Sequence, residues 1–167
     1  EAQVKAGVEQ RVGPIERRLD KARKDLDALI RQRAEEEIAD RMLSRNEIVR
    51  IESHARNRDH VIVHVRRGLL FGGDGFIIFE IENRSSSAYR LASVRVLSDG
   101  RNVAGATRLA SAALARDPSL IGVVAPGATA RGVVTVRSVV LNRALVLELA
   151  QPDGRGVIRA DRGIVLQ

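Results

Sequence analysis

Residues 61–65 read Val61-Ile62-Val63-His64-Val65, and residues 76–82 read Phe76-Ile77-Ile78-Phe79-Glu80-Ile81-Glu82. Valine repeats at 61, 63 and 65, and Ile77, Phe79 and Ile81 repeat with the same step of two. Successive side chains of a strand point to opposite faces, so this alternation predicts two strands, each with one buried face. Between them Gly72-Gly73-Asp74-Gly75 supplies residues that adopt positive φ without strain, as a tight hairpin requires. No Gly-Lys-Ser/Thr follows and the next element is a strand, so the glycines read as a turn and not as a phosphate-binding loop.

The same punctuation continues toward the C-terminus. Val94, Val96 and Ser98 lead into Asp99-Gly100, a two-residue hairpin signal before Val103. The alanine-rich stretch 109–120 reads as one helical turn or a long loop, and Pro126-Gly127 marks a turn before Val133–Val136. Leu145–Leu149 and Gly156–Ile158 flank the turn Gln151-Pro152-Asp153-Gly154, and Ile164–Leu166 is placed to close a sheet. Seven or eight short strands with turns at this interval predict a mainly β protein, an Ig-like antiparallel β-sandwich over residues 58–167. With aromatics at 2% of the chain, its core must be built from Val, Ile, Leu and Ala.

Upstream the rhythm changes. Ile15, Leu19, Ala22, Leu26 and Leu29 recur at steps of 4, 3, 4 and 3, the period of a helix with one apolar stripe. Arg33 and Glu36 interrupt that seam, while Ile30, Ala34, Ile38 and Met42 continue a stripe displaced around the helix. Pro14 suits a first helical turn, so residues 1–13 read as a lead-in and residues 14–57 as a charged helical stalk. Three acid-before-base pairs, Asp20–Lys24, Asp27–Arg31 and Glu37–Arg41, suit an exposed helix. Ser44-Arg45-Asn46-Glu47 fits a capping box, which suits a second helical piece with Ile48, Ile51 and Ala55 on its apolar face, either continuing the stalk or kinked from it near residue 44. A strand there is the alternative.

Charge is divided unevenly. Residues 14–44 hold eight basic and eight acidic side chains, whereas residues 45–167 hold eighteen arginines against eleven carboxylates, which accounts for the whole +7. All three lysines fall within the first 24 residues. Arginine binds phosphate and carboxylate in bidentate fashion, so the excess reads either as an anion-binding surface or as the base composition of the gene. Cysteine is absent, which excludes disulfides, thiolate metal sites and thiol nucleophiles. No apolar run approaches the roughly 20 residues that span a bilayer. The sequence opens on Glu1, and nothing near it reads as a signal peptide; a processed form or a fragment fits that start.

Side chains with chemistry are few. His60 and His64 on one strand would lie about 13 Å apart, too far to share a metal, and His54 approaches them only through the fold. Ser85, Ser86 and Ser87 sit in a turn without a nucleophile-elbow pattern, and Glu80 and Glu82 alternate with core residues on a solvated face. Four aromatic residues are too few to form the stacking platforms of a single-strand binder, and the neutral stalk is no groove reader, which argues against nucleic acid. No catalytic, cofactor or metal site is predicted. The surfaces predicted for partners are Ile15, Leu19, Leu26 and Leu29 on the helix, and Arg66, Arg67, Arg84 and Arg90 on the sandwich. The helical seam either meets another chain, in a hetero-complex or a homo-oligomer, or folds back on its own β domain.

The run Phe79-Glu80-Ile81-Glu82-Asn83-Arg84-Ser85, with Tyr89, Val94 and Val96 after it, resembles a myxobacterial paralogous family of uncharacterised envelope proteins. Val124-Ala125-Pro126-Gly127, Gly132–Val136 and Leu145–Leu149 follow in the order of that family's later strands, and the charged helix before the sandwich is also similar. The strand pattern is similar, too, to the sandwich of TraN-type conjugation proteins. The resemblance implies a cell-envelope location, periplasmic or at the outer surface, and a binding or assembly role without an active site.

Overall fold

A computed structural model describes residues 2–43, 46–137 and 142–166, with only the backbone described over 2–14 and at Ala112. The chain divides into two compact units, residues 1–43 and 44–167. The first is one α-helix, α1 (Ala2–Leu43). It begins well before residue 14, so the predicted lead-in is helical as well. Gly7 and Gly13 are weak helix formers, and Pro14 both lacks an N–H and crowds the preceding turn, yet the backbone stays helical across all three.

The second unit is an antiparallel β-sandwich. Its first strand is β1 (Asn46–Arg56), so the stalk ends at residue 43 and the helical reading of 46–57 is corrected; Ser44 and Arg45 lie outside the described residues. Two features hid this strand from its sequence. Its inward positions include the polar Ser53, and Ile48 faces solvent at 69% exposure, so hydrophobicity does not alternate as burial does. A bulge between Arg50 and Ser53 breaks the register against the next strand as well.

That strand, β2 (Val61–Phe71), pairs with β3 (Asp74–Asn83) from Val61 opposite Asn83 to Phe71 opposite Asp74. Gly72 and Gly73 join them with φ of 60° and 86°, the mirror-image turn that matches strand twist. β3 then pairs with β9 (Thr129–Val136), and β9 with β7 (Ala104–Leu109), completing a five-stranded sheet in the order β1-β2-β3-β9-β7. The facing sheet is formed by β11 (Ile158–Ala160), β10 (Leu145–Ala150), β5 (Ser93–Ser98) and β6 (Arg101–Asn102), side by side in that order. β4 (Tyr89–Leu91) and β8 (Gly122–Val124) form a short separate ladder. The alanine-rich stretch contains a single 3-10 turn, Ser111–Ala113. Near the C-terminus Val165 makes only an isolated bridge to Ala144.

The core is aliphatic, as composition requires. Val63, Val65, Ile77, Ile81 and Val134 of one sheet meet Val96, Leu147 and Leu149 of the other, all fully buried. Phe79 and Tyr89 are the two aromatic residues within it. Gly132 sits across from Phe79, and a Cβ there would overlap the Phe79 ring, so only glycine lets β9 approach β3 at this point.

Asn83, fully buried at the end of β3, ties three segments together. Its Nδ2 donates to the Ser87 carbonyl at 2.8 Å and to the Val124 carbonyl of β8 at 2.9 Å, and its Oδ1 accepts from the Ser85 N–H at 3.0 Å. Its backbone N–H donates to the Ala128 carbonyl, and its own carbonyl accepts from Gly127, fixing the Pro126-Gly127 turn. Asn83→Ala takes the amide donor from the buried Val124 carbonyl and one of two donors from the Ser87 carbonyl, and is expected to lower unfolding free energy by about 2 kcal/mol in urea titrations. A loss below about 1 kcal/mol would mean that water replaces the amide.

Candidate interaction surfaces

On α1, residue types with good helix propensity dominate, and charged residues cover most of the surface. Ile15, Leu19, Leu26 and Leu29, the predicted seam, are 65%, 60%, 54% and 48% exposed. Ile30, Ile38 and Met42 on the displaced stripe are also more than half exposed. Of the three predicted i, i+4 ion pairs, Glu37–Arg41 closes at 2.8 Å and the other two do not. Gln32 donates to Glu36 at the same spacing.

The second surface is the outer face of the five-stranded sheet. β2 carries a bulge between Val65 and Arg67 in its pairing with β3, so Arg66 and Arg67 are both exposed. The register then sets Arg50, Arg67 and Ile78 side by side across β1, β2 and β3. These residues, with Glu52, Arg66, Glu80 and Arg131, line an open cleft of about 640 Å³. Arg50 pairs with Glu52 at 2.7 Å and Arg131 with Glu80 at 3.5 Å. Arg66 and Arg67 have no carboxylate partner among the described residues, so their guanidinium groups are free to meet an external anion.

The other two predicted arginines belong elsewhere. Arg84 donates to Glu82 at 2.6 Å and Arg90 lies 3.5 Å from Asp117, so each is engaged by a local acid and neither lines the cleft. The four-arginine surface drawn from sequence is therefore two residues in one place and two ion-paired residues apart from it. Arg50 and Arg131 were missed. No local motif marks them, because strand register alone brings them to the cleft.

Histidine placement also departs from the sequence reading. His60 is not on the strand but in the turn before it, with φ of 61°. Asn57 organises that turn by accepting from the Asp59 and Val61 N–H groups, and it donates to the Gly156 carbonyl. His54 and His64 are the pair brought together, cross-strand neighbours with ring centroids 6.4 Å apart. His64 Nε2 lies 3.3 Å from Glu82 Oε2, and no group of three metal-ligating side chains forms among the described residues. Ser85 Oγ lies 2.7 Å from Asn83 Oδ1 and 2.8 Å from the Ser87 carbonyl, which holds it to the turn.

No family model, curated protein or solved structure matches the chain. No described helix is long and apolar enough to cross a membrane.

Glu82 sits between Arg84 and His64, and the Arg84 hydrogen bond holds its carboxyl below the ordinary carboxylate range, with His64 contributing less. A lowered value means that the folded state favours the charged form, so this contribution is present above the usual carboxylate range and lost as pH falls through the folded value. Arg84→Ala is expected to move the Glu82 midpoint upward in a carboxyl NMR titration. A midpoint that stays in place would transfer the effect to His64.

Proposed function

We propose that this chain is a non-enzymatic structural and interaction subunit of a bacterial cell-envelope assembly, docking through α1 and presenting the sandwich as a folded body. The observation that carries the reading is the exposed apolar seam Ile15, Leu19, Leu26 and Leu29 on a 42-residue helix. A helix this long with an apolar stripe left in water gains from burying it against another helix, at about 1 kcal/mol for each half-exposed Leu or Ile. The envelope location rests on the likeness of residues 79–96 and 124–149 to the envelope family, and placement in a conjugation apparatus is its narrower form.

Sedimentation velocity tests the docking role. The wild-type chain is expected to run above its monomer mass of 18.2 kDa, and Leu19→Glu with Leu26→Glu to run at 18.2 kDa with its strand circular dichroism unchanged. Equal masses for the two proteins would remove the helix from the mechanism.

A second reading, a regulatory module that binds an anionic ligand, is favoured by Arg66 and Arg67. Retention on an immobilised polyanion at low salt should be lost by roughly physiological ionic strength, and lost at all salt concentrations in Arg66→Ala with Arg67→Ala. Retention unchanged in that variant would exclude the cleft.

A further inference from the structure

We infer that the partner of α1 is α1 of a second copy, running antiparallel to it; this rests on the docking reading above and specifies its occupant. The first argument is the order of the exposed apolar residues. From the N-terminal end they read Ile15, Leu19, Ala22, Leu26, and from the C-terminal end Met42, Ile38, Ala34, Ile30. Both directions give large, large, alanine, large at nearly equal steps, so the stripe is close to a palindrome about residues 28 and 29. Turned end for end on itself, it sets Ile15 by Met42, Leu19 by Ile38, Ala22 by Ala34 and Leu26 by Ile30. Leu29 falls at the centre. The stripe spans about 40 Å at the helical rise. Its mean step of about 3.9 residues exceeds the 3.6-residue turn, so it winds about half a turn around the helix from Ile15 to Met42, and two copies follow it only by crossing with a right-handed wrap.

The second argument is charge. Residues 15–24 carry five basic and two acidic side chains, and residues 33–42 carry two basic and four acidic ones. Antiparallel pairing lays the positive segment of each copy along the negative segment of the other. Parallel pairing lays the net-positive segments together and the net-negative segments together, which costs free energy on balance. Size order and charge order are independent properties of the sequence, and both select the same orientation. The helix dipoles also oppose one another in that arrangement.

The native chain has no cysteine, so single thiols report the geometry without competition. Under mild oxidation, an equimolar mixture of Ala22→Cys and Ala34→Cys chains is expected to form a disulfide-linked dimer at least tenfold faster than either variant alone. Antiparallel pairing brings residue 22 of one copy beside residue 34 of the other, and separates two copies of residue 22 by about 18 Å, beyond disulfide reach. Both sites are exposed alanines on the helix, so neither substitution threatens the fold. Rapid linkage of Ala22→Cys to itself would overturn the orientation and leave helix docking intact. A wild-type mass above 18.2 kDa with no linkage in any combination would also overturn the inference while the docking reading stands. A wild-type mass of 18.2 kDa with no linkage would overturn both.

Discussion

A single buried amide holds the sandwich at its most vulnerable corner. There β3 ends, the chain enters the Asn83–Ser87 turn, and the short ladder of β4 and β8 must be held beside the five-stranded sheet. The strand ladder of β3 stops at Asn83, and beyond it the buried Val124 carbonyl needs a donor that a side chain supplies. The Asn83 side chain supplies donors to Ser87 and Val124 together, and its oxygen closes the turn through Ser85. Asparagine suits the position because its amide both donates and accepts; aspartate would accept only, and leucine would do neither. Tyr89 and Leu91 of β4 are buried just beyond, and the Gly127 turn that launches β9 is fixed to the same residue. The order of the middle of the chain therefore depends on one side chain.

The two units use charge in different ways. On α1, acids and bases balance and are spread over nearly the whole surface, so the apolar stripe is the feature that distinguishes one face from another. On the sandwich, arginine pairs with carboxylates across strands: Glu148 on β10 lies 3.5 Å from Arg95 of β5 and 3.7 Å from Arg159 of β11. Exposed pairs of this kind add little stability singly. Their effect is to neutralise the outer faces locally, which leaves Arg66 and Arg67 distinct: Arg66 is the unpaired residue of a bulge, and Arg67 stands in register with Arg50 and Ile78, neither of which is an acid.

Much of the fold was legible in the sequence because β3, β9 and β10 alternate with a period of two and β2 does so up to its bulge. Val61–Val65 and Ile77–Ile81 announce their buried faces, and Gly72-Gly73 and Asp99-Gly100 announce their turns, with positive φ at all four residues. β1 was not legible, since Ser53 occupies a core position, Ile48 a solvent position, and Ile48, Ile51 and Ala55 by chance mimic a helical spacing. Pro14 misled in the same way: it is a good first-turn residue, but not proof of a first turn. For the surfaces, the helical seam could be read from spacing, because one helix carries it whole. The cleft could be read only by half, because Arg50, Arg67 and Arg131 come from three strands whose alignment depends on two bulges.

Those bulges have one more effect. β1 is an edge strand, and a long regular edge invites another chain to extend the sheet. The interruption between Arg50 and Ser53 breaks the even row of backbone groups, and Arg50, Glu52, His54 and Arg56 project from the strand as exposed polar side chains. A neighbouring strand would find neither a straight template nor an apolar face. At this edge the sandwich is thus guarded against another chain extending its five-stranded sheet, which disfavours edge-to-edge fusion and fibril growth from β1.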